Sequence, residues 1–137
     1  MDCIFCKIIN KEVPAYFIYE DDDVVAMLDI HPKAPGHAMI LTKVHAENIL
    51  DLPDDEIEAV FKAVKKITGL LQKALKPDGF TIGINHGKAS GQAVDHLHIH
   101  IIPRWQNDGG GSIHSVVDNP PKQNLTDIKN KILEYGN

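Results

Sequence analysis

The most informative part of the sequence is Asp95-His96-Leu97-His98-Ile99-His100-Ile101-Ile102-Pro103, in which histidine alternates with aliphatic residues. Side chains of a β-strand point alternately to its two faces, so this period predicts a strand over residues 95–103. One face then carries three imidazoles roughly 6–7 Å apart, and the opposite face is apolar. A solvated surface seldom shows such strict alternation, so we interpret the three histidines as a chemical centre.

The apolar face of this strand needs a partner, and the middle of the chain supplies an amphipathic helix. From about residue 54 the apolar residues recur at intervals of three and four, which places them on one helical face. These residues are Ile57, Val60, Phe61, Val64, Ile67, Leu70, Leu71 and Leu75. Acidic residues at the start suit the helix dipole, and Pro77-Asp78-Gly79 ends the helix.

Four further strands are predicted over residues 16–20, 24–30, 37–43 and 80–85, where strand-favouring residues lie between turn residues. A loop-rich C-terminal segment at about 103–137 follows the histidine strand. It ends in a short helix, indicated by Leu125, Ile128, Ile132 and Leu133. The chain is thus expected to be a single α+β domain over residues 1–137, with a five-stranded antiparallel sheet, one long central helix and a short C-terminal helix.

Length and composition limit the possible functions. The 137 residues carry a formal net charge of −5, which argues against nucleic acid as a partner. No apolar run reaches the ~20 residues of a membrane span, and the N-terminus lacks the layout of a secretory signal. We therefore expect a cytoplasmic protein that binds no membrane. A local positive pocket for a small anion is compatible with this overall charge.

A glycine-containing loop, residues 85–94, leads into the histidine strand. Gly87 and Gly91 allow main-chain N–H groups to approach an anion closely. Glycines in a hairpin loop are usually only turn residues. Beside three imidazoles, however, the loop predicts a phosphate cradle.

The only two cysteines form the motif Cys3-x-x-Cys6. In a reducing compartment this spacing indicates a metal clip or a redox motif rather than a structural disulfide. It is the spacing of half a tetrahedral zinc site. A thioredoxin-like motif would need a βαβ context, which the extreme N-terminus lacks. Two unrelated buried cysteines are the remaining alternative.

Together these features resemble the histidine triad (HIT) superfamily, whose signature is His-φ-His-φ-His-φ-φ with φ apolar. Residues 96–102 fit every position of it. The resemblance covers most of the chain, and the size is similar to that of Hint-type and bacterial members. The other matching motifs are Ile4-Phe5, Leu28-Asp29-Ile30-x-Pro32-x-x-Pro35-Gly36-His37, Lys43-x-His45, Asn85-x-Gly87 and Gly91-Gln92.

The resemblance implies an enzyme with a covalent mechanism. In the family the middle histidine attacks the α-phosphorus of a nucleotide, and water then hydrolyses the nucleotidyl-histidine. This implies that His98 is the nucleophile of a nucleotide hydrolase or transferase. The implied substrate is a purine nucleoside phosphoramidate or a related nucleotidyl ester, which makes the enzyme a phosphoramidase or a dinucleoside polyphosphate hydrolase. Neutral imidazole is nucleophilic at cytosolic pH, and a carbonyl accepting from Nδ1–H would leave Nε2 free.

The resemblance also implies the residues that surround the nucleotide. His100 would contact a phosphate or leaving-group oxygen, and Asp29 would hold the ribose hydroxyls. Gln92 and Asn85 would complete the catalytic set. The phosphate would be held by Asn85, Gly91, Gln92, Ala93 and Val94, where Ala93 replaces the Ser or Thr of many relatives. The base would lie against Phe5, Ile8, Met27 and Ile30, although apolar residues of this kind are also ordinary in a core.

Some relatives hold a structural zinc with a CxxC pair and two histidines. This implies a zinc site formed by Cys3, Cys6, His45 and His96, and no organic cofactor is expected. His96 would then bind the metal while His98 attacks the substrate. Relatives also commonly form twofold dimers, which implies a homodimer with Trp105 and residues 113–117 as candidate contacts.

Two other functions fit the same residues. His-x-His pairs on strands bind metals, so His96 and His98 could be joint ligands in a metal-dependent hydrolase. The chain could also be a nucleotide-binding regulatory module with negligible catalysis. Chelator sensitivity of the chemical step would identify the first function. Tight nucleotide binding without a nucleotidylated intermediate would identify the second.

Overall fold

The structure is a computed structural model that describes residues 2–136, so Met1 and Asn137 of the predicted domain lie outside the described residues. Three α-helices and five strands are present in this range. In chain order they are α1 (Ile4–Ile9), β1 (Phe17–Glu20), β2 (Val24–Leu28), β3 (Ala38–Thr42), α2 (Asp54–Leu75), β4 (Gly79–Gly83), β5 (His98–Arg104) and α3 (Leu125–Leu133). The predicted α+β class, with its long central helix and short C-terminal helix, is confirmed.

The five strands form one antiparallel sheet in the order β1-β2-β3-β5-β4. The histidine strand β5 therefore lies between β3 and β4 and hydrogen-bonds to both. In this register His98 is opposite Leu41, and His100 is opposite both Met39 and Gly83. Because β5 is paired on both sides, its imidazoles are attached to a well-supported part of the sheet.

Helix α2 covers one face of the sheet. It begins with an acidic first turn and ends at Leu75. The next residue, Lys76, has a left-handed backbone (φ 52°) and is followed by a proline. Its buried residues are Val60, Ala63, Val64, Ile67 and Leu71. Contrary to the prediction, Phe61, Leu70 and Leu75 are 46%, 45% and 39% exposed. A helix lying on a sheet buries only one stripe of its surface, and these three residues lie outside it.

Each face of the sheet has its own apolar layer. Leu97, Ile99 and Ile101 pack into the cluster that includes α2 and are at most 2% exposed. The alternation of the histidine stretch is thereby confirmed on its apolar side. Burying each of these side chains stabilises the fold by about 1.5–3 kcal/mol. On the opposite face Phe5 and Ile8 of α1 pack into a second, smaller cluster with residues of β2 and β3.

The ends of several elements differ from the predicted ones. β5 begins at His98 instead of residue 95, because the N–H of Leu97 donates to Ala46 in the loop after β3 (2.7 Å) and not to a strand. β2 ends at Leu28, before a turn that contains two prolines, and β4 ends at Gly83, its last residue paired with β5. Helix α1 was not predicted at all, because six residues are too few to show a helical period.

The C-terminal segment lies on the surface of the molecule. It contains a 3₁₀ turn, Ile113–Ser115, and helix α3, neither of which has a buried residue. Leu125, Ile132 and Leu133 are 74%, 65% and 61% exposed. Among the described residues, no helix is long and apolar enough to cross a lipid bilayer.

Candidate active site and metal centre

His98 lies on β5 with its imidazole 8% exposed. Its Nδ1 is 2.7 Å from the main-chain oxygen of His96. A carbonyl oxygen only accepts hydrogen bonds, so Nδ1 carries the proton and Nε2 keeps its lone pair. The oxygen of His96 is therefore in the position of the neighbouring carbonyl expected from the sequence, and it leaves the lone pair of Nε2 free.

The side of the sheet that carries His98 is lined by an apolar wall. Phe5 and Ile8 of α1 are each 8% exposed, and Met27 of β2 is 3% exposed. The ring of Phe5 meets that of His98 edge to face, with centroids 5.0 Å apart and an interplanar angle of 83°. Three of the four residues expected at the base thus lie together in one cluster. The fourth, Ile30, lies outside the cluster and is 68% exposed.

His100 belongs to a chain of hydrogen bonds that the sequence did not reveal. The N–H of Lys33 donates to Nδ1 of His37 (3.1 Å), and Nε2 of His37 is 2.9 Å from Nδ1 of His100. Because Nδ1 of His37 accepts, the proton of neutral His37 lies on Nε2 and is donated to His100. His100 must then carry its own proton on Nε2. His37 is a candidate functional residue that the sequence interpretation missed.

Burial keeps His100 neutral. It lowers the pKa of His100 to about 4, with His98 and His37 adding to the effect and Asp29 opposing it. The pKa of His37 is also lowered, mainly by burial. At neutral pH His100 therefore acts as a neutral N–H donor, suited to a phosphate or leaving-group atom.

Asp29 lies just beyond the end of β2, beside these two histidines. Its Oδ2 is 3.5 Å from Nε2 of His37 and 3.9 Å from Nδ1 of His100, and its Oδ1 accepts from the N–H of His31 (2.8 Å). A shallow cavity of about 420 Å³ lies beside Asp29 and His37. Asp29 thus lines a cavity, and its carboxylate can accept further hydrogen bonds.

Asp29, His37 and His100 are close enough together to hold a metal ion, but their hydrogen bonds argue against it. A metal on Nε2 of neutral His37 would require the proton to move to Nδ1. The N–H of Lys33 already points at that atom. Two N–H groups would then face each other, so the cluster is better described as a hydrogen-bond chain.

The predicted phosphate cradle is a loop stabilised by Gln92. The Oε1 of Gln92 accepts from the N–H of Gly87 (2.8 Å), and its Nε2 donates to the oxygens of Glu47 (2.7 Å) and Val94 (3.0 Å). The positive φ values of Gly87 (82°) and Gly91 (97°) allow the tight turn between them. In this arrangement the amide of Gln92 fixes the loop.

Not every residue expected to hold the phosphate has a main-chain N–H group left for an anion. The N–H groups of Gly91 and Gln92 donate within the loop, to Lys88 (3.0 Å) and Gly87 (3.2 Å). Those of Ala93 and Val94 have no acceptor among residues 2–136. These two N–H groups are therefore available as main-chain donors to a phosphate. Asn85, just after β4, is exposed.

Cys3, Cys6, His45 and His96 form a compact cluster whose four ligand atoms lie within 4.8 Å of one another. Nδ1 of His96 is 3.5 Å from Sγ of Cys3 and 3.6 Å from Sγ of Cys6, and Nδ1 of His45 is 3.3 Å from Sγ of Cys6. The two Nδ1 atoms are 3.1 Å apart. Tetrahedral zinc with bonds of 2.0–2.3 Å requires separations of roughly 3.3–3.8 Å. The three N–S distances lie in this range and the N–N distance is about 0.2 Å shorter, so the donor set fits this metal.

The surroundings of His96 support the same interpretation. His96 is fully buried, and its Nε2 lies 2.8 Å from the oxygen of Thr42. The proton therefore lies on Nε2, and the lone pair of Nδ1 points at the cysteines. A carbonyl that orients a ligand histidine in this way is the usual support of a metal site. Burial also lowers the pKa of His96, which keeps the ring neutral for metal binding.

Comparison with known proteins identifies the family. The family model described as HIT domain matches residues 10–107. The chain is 37% identical to the adenosine 5′-monophosphoramidase of Schizosaccharomyces pombe, with 80% of each protein covered. This chain belongs to the HIT family, as the resemblance implies.

Solved structures agree with this assignment. A HIT family protein from Bacillus subtilis superimposes with a TM-score of 0.87 at 34% identity, covering 98% of this chain and 97% of that one. A zinc-bound histidine triad protein from Mycobacterium smegmatis gives a TM-score of 0.75 at 31% identity, covering 90% of this chain and 85% of that one. The predicted fold is therefore the HIT fold.

Proposed function

We propose that this protein is a nucleotide hydrolase or transferase that attacks the α-phosphorus of a purine nucleoside phosphoramidate through a covalent nucleotidyl-His98 intermediate. The observation that carries the proposal is the 2.7 Å contact between Nδ1 of His98 and the oxygen of His96, which leaves Nε2 as a nucleophile. The similarity to a protein named adenosine 5′-monophosphoramidase supports the substrate class.

In the first step, Nε2 of His98 forms a bond to the α-phosphorus. The bond between phosphorus and the leaving nitrogen breaks, its electron pair stays on that nitrogen, and the nitrogen takes a proton from solvent to leave as an amine. The imidazole becomes a cation, which the oxygen of His96 stabilises through Nδ1–H. Nε2–H of His100 donates a hydrogen bond to a phosphate oxygen as negative charge develops there.

In the second step, the oxygen of a water molecule attacks the phosphorus and the bond to Nε2 of His98 breaks. Its electron pair returns to the imidazole, the water loses a proton to solvent, and the nucleoside monophosphate departs. Transfer to another acceptor would use the same intermediate with a different nucleophile in place of water. His98 thus ends each cycle in its starting protonation state.

Three groups of residues are proposed to hold the nucleotide. Asp29 accepts from the ribose hydroxyls, and the N–H groups of Ala93 and Val94 donate to the phosphate. Gln92 acts by fixing the cradle, and the exposed amide of Asn85 is available on the phosphate side. The base is placed against Phe5, Ile8, Met27 and Ile30, of which Ile30 is exposed at the edge.

Replacing His98 tests this function directly. Wild type, His98→Ala and the control His114→Ala would be assayed on nucleoside phosphoramidates, dinucleoside polyphosphates and nucleotidyl sugars. We expect phosphoramidates to be turned over fastest, with a loss of at least about 10³-fold in His98→Ala. His114 is exposed and its hydrogen-bond partner is the neighbouring Ser112, so its variant should match wild type. Near-normal turnover by His98→Ala would refute the mechanism.

The metal centre is proposed to be a structural zinc site. Both ring nitrogens of His96 are engaged, Nδ1 with the cysteines and Nε2 with Thr42, so His96 would have to leave this site to share a catalytic metal with His98. Metal analysis of purified protein would test it. Zinc in stoichiometric amount should be lost when Cys3 and Cys6 are replaced.

We also propose a cytoplasmic homodimer. Cys3 and Cys6 are free thiols, which a reducing compartment would maintain as metal ligands. The exposed apolar side chains of the C-terminal segment, among them Ile113, Val116 and Val117, are available to a second copy.

A further inference from the structure

Helix α1 is too short to be stable by itself. It has only six residues and no acidic residue in its first turn. Its N-terminus is capped by a thiol, since Sγ of Cys3 accepts from the N–H of Cys6 at 3.4 Å. Isolated helices shorter than about 12–15 residues are marginal in water. The position of α1 must therefore depend on what connects it to the rest of the protein.

The metal ligands supply such a connection. Cys3 and Cys6 lie at α1, His45 lies in the loop after β3, and His96 lies just before β5. One ion bound by all four would crosslink three separate parts of the chain. Nδ1 of His45 lies 3.3 Å from Sγ of Cys6 and within 4.8 Å of Sγ of Cys3. A metal shared by these ligands would join this loop to α1.

Two features of the active site are attached to the same cluster. Phe5, between the two cysteines, packs against the rings of both His98 (5.0 Å) and His96 (6.0 Å). The main-chain oxygen of His96 holds Nδ1 of His98. A displacement of α1 or of His96 would therefore move the apolar wall, the nucleophile or both.

The loop that carries His45 also contacts the phosphate cradle and the start of the histidine strand. The oxygen of Ala46, next to His45, accepts from the N–H of Leu97 (2.7 Å). The oxygen of Glu47 accepts from Nε2 of Gln92, the side chain that fixes the cradle (2.7 Å). The loop that carries one metal ligand therefore supports the cradle as well.

We propose that the metal bound by Cys3, Cys6, His45 and His96 holds α1 and the main chain of His96 in place, and thereby positions the base wall and the His98 nucleophile. The ligands are positioning residues, since they act through Phe5 and His96. The catalytic consequence rests on the proposed function, whereas the dependence of α1 on the metal does not. If only the closed arrangement binds metal, free metal at about 100 times its Kd shifts the opening equilibrium of α1 about hundredfold.

Amide hydrogen exchange of α1 tests the proposal without substrate. Exchange would be measured in zinc-loaded and chelated wild type, in His45→Ala and in Lys7→Ala, a control that changes a half-buried residue of α1 that is not a metal ligand. In wild type, chelation should speed exchange in α1 about 10- to 100-fold. Exchange in the middle of α2 should change far less, which shows that the fold persists.

The variants separate a metal crosslink from simple packing. In His45→Ala, exchange in α1 should already be fast, and chelation should add little because the two changes remove the same connection. Lys7→Ala should respond to chelation like wild type. An α1 that stays protected after chelation, or one that remains fully chelator-sensitive in His45→Ala, would overturn the proposal.

Nitrogen NMR of His98 gives a second readout that a purely structural role would not change. The zinc-loaded protein should show a single tautomer of His98 with the proton on Nδ1. The chelated protein should show a mixture of the two tautomers. A tautomer that chelation leaves unchanged would overturn the positioning of His98. Metal-dependent exchange in a protein without nucleotidyl transfer would refute the proposed function alone. Metal-independent exchange in an active enzyme would refute this inference alone.

Discussion

At the scale of single residues, main-chain groups determine which nitrogen of each imidazole carries a proton. The oxygen of Thr42 fixes His96, the oxygen of His96 fixes His98, and the N–H of Lys33 fixes His37. Main-chain groups do not titrate, so each of these contacts selects one tautomer whenever its ring is neutral. The proposed division between metal ligand and nucleophile on neighbouring histidines is based on this arrangement.

Replacing His37 should impair catalysis without removing the nucleophile. Without the N–H that His37 donates to Nδ1 of His100, the proton of His100 can move to Nδ1 and its donor toward the substrate is lost. We expect kcat to fall by up to about 10²-fold in His37→Ala. Steady-state kinetics would show partial recovery in His37→Gln, whose amide can donate in the same place. Equal activity of wild type and His37→Ala would contradict this role.

The lowered pKa of His100 predicts a pH-dependent stability. Its folded-state pKa of about 4 lies below the ordinary value of 6.5, so the unfolded chain binds more protons between these values. The unfolding free energy should therefore fall as the pH drops from about 6.5 to 4, by at most roughly 3 kcal/mol from this residue. Denaturant unfolding near pH 7 and near pH 5 would show a smaller pH dependence in His100→Gln. Identical dependence in both proteins would contradict the burial effect.

At the scale of elements, the alternation of β5 places histidines on one face of the sheet and buried aliphatic residues on the other. Ile67 of α2 is fully buried in the same cluster as Ile99 and Ile101, whereas Leu70 on the same helix is 45% exposed. We expect Ile67→Ala to lower the unfolding free energy by about 2–5 kcal/mol. Urea unfolding would measure this loss, and Leu70→Ala should cost well under half as much. A similar cost for both would mean that the buried stripe of α2 is misassigned.

The sequence was sufficient for elements with a sustained period and insufficient for those set by distant contacts. The 22 residues of α2 repeat their apolar pattern several times, so both ends were predicted. Helix α1 has fewer than two turns and depends on partners far along the chain. The start of β5 depends on the bond from Leu97 to Ala46, which no local pattern encodes.

The same distinction applies to the site residues. His98 lies in an alternating series, and the resemblance to the family signature predicts that it is the nucleophile. His37 is a single histidine at the start of a strand, and no spacing connects it to His100, 63 residues later. His37 lies within residues 28–37, a segment that matches a family motif. This match was the only feature of the sequence that pointed to His37.

At the scale of the whole molecule, the exposed C-terminal segment predicts a second copy. Helix α3 buries none of its residues, and Tyr135 beyond it is 87% exposed. Such apolar exposure is unusual for an isolated monomer. Light scattering should give the mass of a dimer for wild type, and Val116→Glu with Leu133→Glu should shift it toward a monomer. A monomeric wild type at all concentrations would contradict the proposed homodimer.

The covalent nucleotidyl-His98 intermediate is the central claim, and rapid-quench mass spectrometry tests it most directly. Wild-type protein would be mixed with an adenosine phosphoramidate, quenched at a pH that preserves phosphohistidine, and digested. We expect a transient nucleoside monophosphate adduct on the peptide that contains His98, formed and lost at rates compatible with turnover, and no adduct in His98→Ala. Full turnover by wild type with no adduct, or with an adduct on another residue, would contradict the account.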